Sequence, residues 1–213
     1  MRSPLKAPPN PAFSARKPQQ QRAKARVEAV LTAAEQLLLS AGHTGFSIPS
    51  LADQLDFPRA TIYKFFPTPH ALLNELAERH VTALEAHLVA YSERLVAAKD
   101  WQQMIGRMVE AAVDYYRAHP AAQIVLLAGP ISDSSFRALE GSITRLGSLT
   151  RNLLGSRGIA VPEGSPDLAA LAVEFGTASF RMSYFLHGEI TPPYAQAAAD
   201  VMIAFLGHRL SLT

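Results

Sequence analysis

The sequence predicts an all-α protein in which three N-terminal helices precede a larger helical region. Apolar residues recur at three- and four-residue intervals along most of the chain, and residue pairs typical of helix starts and ends separate these segments. No stretch alternates apolar and polar side chains as a strand does. With 213 residues, 48% of them hydrophobic, the chain can bury a core as one large domain or two smaller ones.

Residues 1–20 are predicted to be a disordered basic arm, because they are rich in proline and glutamine and show no apolar periodicity. The segment has no continuous apolar core, so it does not resemble a secretory signal. Its acid-free, arginine-containing composition also fits an organellar transit peptide. Four prolines before Phe13 argue against the amphipathic helix that such a peptide forms.

The first helix is predicted from about Arg22 to Ala41, with Gly42 placed to end it. Its apolar residues follow the spacing of one helix face. They are Val27, Val30, Leu31, Ala34, Leu37, Leu38 and Ala41.

The second helix is predicted to begin near Ile48, because Ser47 can cap it by accepting from the backbone N–H of Ser50. Pro49 fits in the first turn, where its missing donor costs nothing. Pro58 disfavours helical geometry at the preceding residue, so the chain turns there.

A third helix is predicted from Arg59 to Phe66, with Ile62 and one of the phenylalanines at 65 and 66 facing inward. Thr68-Pro69 then forms the N-cap and first position of a fourth helix. The residues left on the outer face of the third helix are Arg59, Ala60, Thr61, Tyr63 and Lys64.

This stretch resembles the N-terminal domain of the tetracycline-repressor (TetR) family of bacterial regulators. The resemblance rests on Leu51-Ala52 and on the run from Thr61 to Pro67, TIYKFFP, with Leu72-Leu73 where that family begins helix 4. It covers about a quarter of the chain. It implies a helix-turn-helix DNA-binding domain at residues 21–67, followed by a helical ligand-binding and dimerisation domain at residues 68–213.

Three residues depart from the family pattern. Asp56 stands where the turn glycine is usual, Pro58 where a serine or threonine usually caps the recognition helix, and Pro69 where a lysine usually meets phosphate. Aspartate tolerates left-handed backbone geometry better than most residues, so Asp56 is a feasible replacement.

Six helices are predicted in the larger region, about nine in the whole chain. Their expected spans are Pro69 to Ala98, Trp101 (capped by Asp100) to His119-Pro120, Ala121 to Ala128 before Gly129-Pro130, Ser134 to Leu154, Ser165-Pro166 to His187, and Thr191-Pro192 to Arg209. The resemblance implies that the last two pair with their twofold copies in a dimer. Small residues at Gly176, Ala178 and Ser179 suit that role, and ordinary packing within the chain is the alternative.

The resemblance also implies which residues contact DNA. Arg59 is expected to read a guanine, Ala60 and Thr61 to touch a thymine methyl, and Tyr63 or Lys64 to hold phosphate. Other expected contacts to the backbone or the minor groove are Ser47 and His70, at helix starts, together with Arg22, Lys24 and Arg26.

Charge is distributed in agreement with that expectation. Residues 1–66 hold nine basic and four acidic side chains, whereas residues 67–213 hold eleven basic and fourteen acidic ones. Positive charge next to a helix-turn-helix favours phosphate binding, and a solvated basic tail is the alternative.

The helical region is expected to bind a small hydrophobic or aromatic effector that releases the protein from DNA through helix 4. Aromatic and soft apolar side chains suit such a ligand, although packing in the core is their usual role. The candidate ligand residues are Trp101, Met104, Met108, Tyr115, Tyr116, His119, Phe175, Arg181 and Tyr184, with Phe180 and His187 as further candidates.

Motifs for other chemistries are missing from the sequence. No cysteine is present, which excludes disulfides and thiolate metal sites and fits a reducing cytoplasm. His80 and His87 are seven residues apart rather than the four of a helical zinc pair, and no nucleophile elbow, P-loop or dinucleotide fingerprint occurs. No cofactor, metal or catalysis is therefore expected.

The sequence predicts a cytoplasmic, homodimeric, ligand-released repressor of an inverted-repeat operator. One alternative is a helical small-molecule-binding protein that has lost DNA binding. Another is an architectural protein that binds DNA nonspecifically through the basic arm.

Overall fold

The computed structural model describes residues 21–128 and 133–211. Over these residues the chain forms nine α-helices and one short 3-10 helix, with no strand, which confirms the predicted fold class. The α-helices are α1 Gln21–Gly45, α2 Ile48–Leu55, α3 Arg59–Tyr63, α4 Pro69–Ser92, α5 Trp101–Ala118, α6 Pro120–Leu127, α7 Asp133–Gly155, α8 Leu168–His187 and α9 Pro192–Leu210, and the 3-10 helix is Glu93–Ala97. The predicted arm at 1–20 and the predicted stop at Gly129-Pro130 lie outside the described residues.

The chain divides into two compact units. One boundary falls within α4, between Glu78 and Arg79, and the other within α7, between Ala138 and Leu139. Helices α1, α2 and α3 belong to the first unit, and α5, α6, α8 and α9 to the second. None of the described helices is long and apolar enough to cross a membrane.

The first unit is built around a small apolar core. Its fully buried side chains include Leu38 of α1, Leu51 of α2, Ile62 of α3 and Phe66. The end of α1 follows the sequence expectation, since its backbone leaves helical geometry at Gly42, where φ is 62°. Helices α2 and α3 have only 8 and 5 residues, so packing of their apolar faces rather than helix propensity supplies most of their stability.

Helix starts predicted from capping residues are confirmed in three places. The Ser47 hydroxyl accepts from the backbone N–H of Ser50 at 3.2 Å, the Thr68 hydroxyl from that of Ala71 at 3.1 Å, and the Asp100 carboxylate from that of Gln103 at 2.7 Å. Each cap satisfies a backbone donor that the first turn leaves without a partner.

The predicted extent of the third helix was wrong. Helix α3 ends at Tyr63 rather than at Phe66. The backbone N–H of Phe65 bonds to the carbonyl of Ile62 at 3.0 Å, a tighter i to i+3 contact than an α-helix makes. As a result Phe65 and Phe66 both turn inward and are buried, where only one was expected to be.

Helix α4 also stops earlier than predicted, at Ser92 rather than at Ala98. The guanidinium of Arg157 donates to the carbonyl of Leu95 at 2.6 Å and to that of Ala98 at 2.8 Å. The Leu95 carbonyl also accepts from the backbone N–H of Ala98 at 2.9 Å, so the guanidinium adds a side-chain donor at the end of the 3-10 helix.

The predicted cap of α8 at Ser165-Pro166 was wrong. The helix begins at Leu168, and Asp167 is its cap, with a carboxylate oxygen accepting from the backbone N–H groups of Ala169 and Ala170 at 3.0 Å each. Arg151 donates to the same oxygen at 2.6 Å. That hydrogen bond, together with the two backbone donors, lowers the pKa of Asp167.

Helices α7 and α8 approach closely at Gly147. A Cβ atom at Gly147 would lie 2.7 Å from both the Cα and the backbone nitrogen of Ala170. Backbone cannot move aside as a flexible side chain can, so this position requires glycine.

We therefore expect Gly147→Ala to lower the free energy of unfolding by about 1–3 kcal/mol, the usual range for overpacking in a well-packed core. Gly106→Ala is the matched control, because Gly106 lies inside α5 and a Cβ atom added there would have no neighbour within 4 Å. Urea unfolding followed by circular dichroism measures both variants. Equal stability of the two variants would contradict the close approach.

Candidate nucleic-acid interface and internal cavity

The outer face of α3 carries exposed side chains of the types that contact nucleic acid. Arg59, Ala60, Tyr63 and Lys64 are exposed and Thr61 is half-buried, whereas Ile62 on the opposite face is fully buried. Because α3 is anchored through its inner face, these five side chains are presented together on one side of the first unit.

The turn before α3 uses left-handed backbone geometry at Asp56. Its φ of 51° and ψ of 41° are the values expected of a turn glycine, and its backbone N–H faces the carbonyls of Ala52 and Asp53. Pro58 occupies the cap position of α3 and makes no side-chain capping bond. The turn glycine is thus replaced without loss of the turn, whereas the cap is lost.

An acidic neighbour of Arg59 was missed by the sequence analysis. A carboxylate oxygen of Asp53 lies 3.9 Å from a terminal nitrogen of Arg59, and both side chains are exposed. An exposed pair of this kind contributes little to stability, so the guanidinium can exchange this partner for another. Asp53 and Arg59 lie on different helices, and their six-residue separation across a turn gave no indication of the contact.

The remaining predicted contacts lie at helix starts of the first unit. The side chains of Arg22, Lys24 and Arg26 lie on the first turns of α1, and all three are exposed. Ser47 and His70 are half-buried, and the Ser47 hydroxyl lies 2.7 Å from that of Ser50. Ser47 therefore already serves as a helix cap, and its backbone and hydroxyl are fixed in place.

The second unit contains a small, partly open apolar cavity of about 70 Å³. Side chains from α4, α5, α7, α8 and α9 surround it, and none of them is charged. The lining residues are Leu84, Leu88, Met108, Val109, Ala112, Tyr116, Leu146, Leu149, Thr150, Val173, Gly176, Thr177, Phe180, Ala198 and Met202.

Three of the residues singled out as ligand candidates, Met108, Tyr116 and Phe180, line this cavity. Most of the aliphatic lining was missed, because in a sequence such residues cannot be told from ordinary core residues. The other candidates lie elsewhere in the second unit: Trp101, Met104 and Tyr115 are buried, His119, Phe175 and His187 are exposed, and Arg181 and Tyr184 are half-buried.

Two of these other candidates already have partners outside the cavity. Arg181 forms an ion pair with Glu174, and the ring of Phe175 packs edge-on against that of Phe205 at 5.0 Å. Burial raises the pKa of Tyr184.

Tyr116 is the one tyrosine in the cavity lining. It is 5% exposed, its ring packs edge-on against Phe180 at 6.0 Å, and its hydroxyl has no hydrogen-bond partner among the described residues. Burial raises its pKa, so the hydroxyl keeps its proton at neutral pH.

Solved structures of other proteins share this helical arrangement along most of their length. A TetR-family transcriptional regulator from Streptomyces coelicolor is 20% identical, with a TM-score of 0.65 over 86% of this chain and 98% of that chain. The chain has the TetR-family fold. A TetR-family regulator from Pectobacterium atrosepticum is 19% identical, with a TM-score of 0.64 over 90% of this chain and 97% of that chain.

The multidrug-binding protein EbrR, solved in complex with imidazole, has a similar fold. It is 18% identical, with a TM-score of 0.64 over 88% of this chain and 94% of that chain. No protein-family model and no curated protein matches the sequence.

Within this TetR-family fold, a histidine is buried where α4 meets α5. The Tyr115 hydroxyl donates to the backbone carbonyl of His80 at 3.1 Å, and the His80 Nδ1 atom lies 3.0 Å from the same hydroxyl. In the tautomer that carries its proton on Nδ1, His80 donates to the hydroxyl and the hydroxyl hydrogen goes to the carbonyl. His119 stacks on Tyr115 with ring centres 4.3 Å apart, and its Nδ1 lies 2.8 Å from the Tyr115 carbonyl.

Burial lowers the pKa of His80 to about 4, and the nearby His119 and Arg79 act in the same direction. His87, whose ring centre is 5.8 Å from that of Tyr115, is the other titratable group beside this cluster. No group of three or more potential ligand side chains in the described part of the chain is arranged to hold a metal ion.

The buried His80 makes stability depend on pH. The native state keeps His80 neutral down to about pH 4, whereas the unfolded chain takes up that proton near pH 6.5. We therefore expect full stability from this group above pH 6.5 and a loss of up to about 3 kcal/mol as the pH falls to 4.

Unfolding free energies of the wild type and of His80→Gln, measured between about pH 4 and 7.5, check this expectation. The variant retains a side-chain donor for Tyr115 but does not titrate, so its pH dependence should be shallower. His119→Gln is the control for the exposed neighbour. An identical pH slope in the wild type and His80→Gln would show that His80 is not responsible.

Proposed function

We propose that this protein is a sequence-specific DNA-binding transcriptional regulator that acts as a dimer, most simply a repressor released by a small ligand. The observation that carries the proposal is the outer face of α3, where an arginine, a tyrosine and a lysine stand exposed beside the turn of a helix-turn-helix. The likeness to TetR-family regulators supports the same function. Such a regulator works in the cytoplasm and needs neither a cofactor nor catalysis.

Each exposed residue of α3 has a role in this proposal. Arg59 makes the bidentate contact to guanine that its fork of donors permits. Ala60 and Thr61 contact a thymine methyl, and Tyr63 and Lys64 hold phosphates. Further phosphate or minor-groove contacts come from the helix starts, at Arg22, Lys24, Arg26, Ser47 and His70.

Exposed apolar residues on α8 and α9 support dimerisation. Phe185 is 85% and Met182 is 53% exposed, and Phe175, Leu186 and Val201 are exposed as well. Large apolar side chains gathered on two adjacent helices are typical of a protein interface. A twofold dimer presents two α3 helices, so the target is an inverted repeat.

Two small residues of α8, Gly176 and Ala178, have different surroundings. A Cβ at Gly176 would lie 2.8 Å from the sulfur of Met202, so this glycine permits close packing of α8 on α9 of the same chain. Ala178 is exposed and remains available to a second subunit. The interpretation of Gly176 as a dimer contact is therefore replaced by the alternative of packing within the chain.

The cavity is proposed as the effector site. A multidrug-binding protein of the same fold is known in complex with imidazole, a small aromatic molecule. Leu84 and Leu88 of α4 line the cavity here, so an occupant contacts that helix directly. A ligand releases DNA only if it binds the DNA-free conformation of the protein more tightly than the DNA-bound conformation. In this proposal the position of α4 causes that difference in ligand affinity.

One observation favours the alternative of a small-molecule-binding protein without DNA binding. Asp53 pairs with Arg59, and a second acidic residue, Asp56, lies in the turn between them. Both carboxylates repel phosphate. A sequence-specific regulator binds a selected DNA duplex and needs Arg59 to do so. A small-molecule-binding protein without DNA binding does neither.

Selection of bound duplexes from fragments of the source genome tests the proposed function. At moderate salt we expect the wild type to enrich one inverted repeat. We expect Arg59→Ala to bind that repeat at least about tenfold more weakly, because each bidentate base contact contributes about 1–3 kcal/mol.

Arg94→Ala is the matched control, since Arg94 is an exposed arginine in the second unit. Its enrichment should equal that of the wild type. A folded dimer that enriches no sequence, or an Arg59→Ala variant that binds the repeat as tightly as the wild type, would favour the alternative.

Introducing a charge on the exposed apolar face tests dimerisation. Met182→Glu should convert the dimer to a monomer, because a buried unpaired carboxylate is strongly unfavourable in an interface. Val89→Glu is the control, since Val89 is a similarly exposed apolar residue on α4, at 44%. Sedimentation equilibrium gives the mass of each, and a Met182→Glu protein that remains dimeric would place the interface elsewhere.

A further inference from the structure

We propose that the cavity of the second unit selects uncharged molecules of at most one ring that carry a hydrogen-bonding group, and that the Tyr116 hydroxyl binds that group. The inference rests on the proposed function in treating this cavity as the effector site. It adds the chemical class of the ligand and the residue that recognises it.

The absence of charge in the lining determines the ligand's own charge. None of the fifteen residues around the cavity is ionisable except Tyr116, whose hydroxyl stays protonated. An ion taken from water into such surroundings loses its hydration and gains no partner. Arg181 lies outside the lining but is near enough for its charge to act on the pKa of Tyr116; its ion pair with Glu174 compensates that charge. Cations and anions are therefore both rejected.

Three side-chain hydroxyls, those of Thr150, Tyr116 and Thr177, are the polar groups that the lining can offer to a ligand. Thr150 is committed, because its hydroxyl donates to the carbonyl of Leu146 at 3.0 Å. Tyr116 lines the cavity, and its hydroxyl makes no side-chain hydrogen bond among the described residues, so it is available to an occupant. Thr177 contributes the other hydroxyl of the lining, on the half-buried face of α8.

The volume limits the size of the ligand. The cavity of about 70 Å³ is smaller than the roughly 150 Å³ apolar cavity known to hold benzene in another protein. A single ring therefore enters only if part of the lining moves. Met108 and Met202 are the residues able to move, since their unbranched side chains adopt many shapes at low cost.

Four probes of similar size separate these requirements. Phenol is neutral and can hydrogen-bond, toluene is neutral and cannot, and benzoate and benzylammonium carry opposite charges. Titration calorimetry on the full-length protein at about pH 7.5 should show phenol binding about tenfold more tightly than toluene. Neither ion should bind measurably.

Tyr116→Phe tests the assigned residue. It should remove the preference for phenol while leaving the affinity for toluene unchanged, whereas Thr150→Val should keep the preference because its hydroxyl is already used within α7. Circular dichroism confirms that both variants are folded. A preference retained in Tyr116→Phe, an ion that binds as tightly as phenol, or no binding of either neutral probe would overturn the proposal.

The assay contains no DNA, so its result is independent of whether the protein regulates transcription. Adding phenol to a complex of protein and selected duplex is a separate measurement. Selective phenol binding without any change in DNA affinity would support the ligand class and contradict only the proposed effector role.

Discussion

The outer face of α3 depends on how its inner face is buried. A helix of five residues does not persist in water by itself, so α3 exists because Ile62 and the following Phe66 are enclosed in the core of the first unit. The left-handed turn at Asp56 sets the direction in which the chain re-enters that core. The orientation of Arg59, Tyr63 and Lys64 is therefore fixed by apolar contacts on the opposite face of the helix and not by contacts of these three side chains.

Close helix approaches play the corresponding role in the second unit. Gly147 brings α7 against the backbone of α8, and Gly176 brings α8 against Met202 of α9. The cavity lies among these same helices, and Gly176 and Met202 are both part of its lining. Helix spacing and cavity size are thus coupled, because a side chain added at Gly176 would force Met202 to move.

The sequence predicted helix caps that use neighbouring residues. It missed structural features that depend on residues far apart in the chain. The caps at Ser47, Thr68 and Asp100 use partners three residues away, and they were predicted correctly. The early end of α4 involves Arg157, which is far along the chain and which no local pattern indicates. Likewise, periodicity placed Tyr116 on a buried face but could not show that the side chain borders a cavity.

The proposed function requires that the two α3 helices of a dimer lie in major grooves on the same face of DNA. Hydroxyl-radical footprinting of the dimer on a selected duplex tests it most directly. We expect two protected half-sites related by a dyad, with centres about 34–36 Å apart or a multiple of that distance. A single protected site, or uniform protection of any duplex, would contradict it.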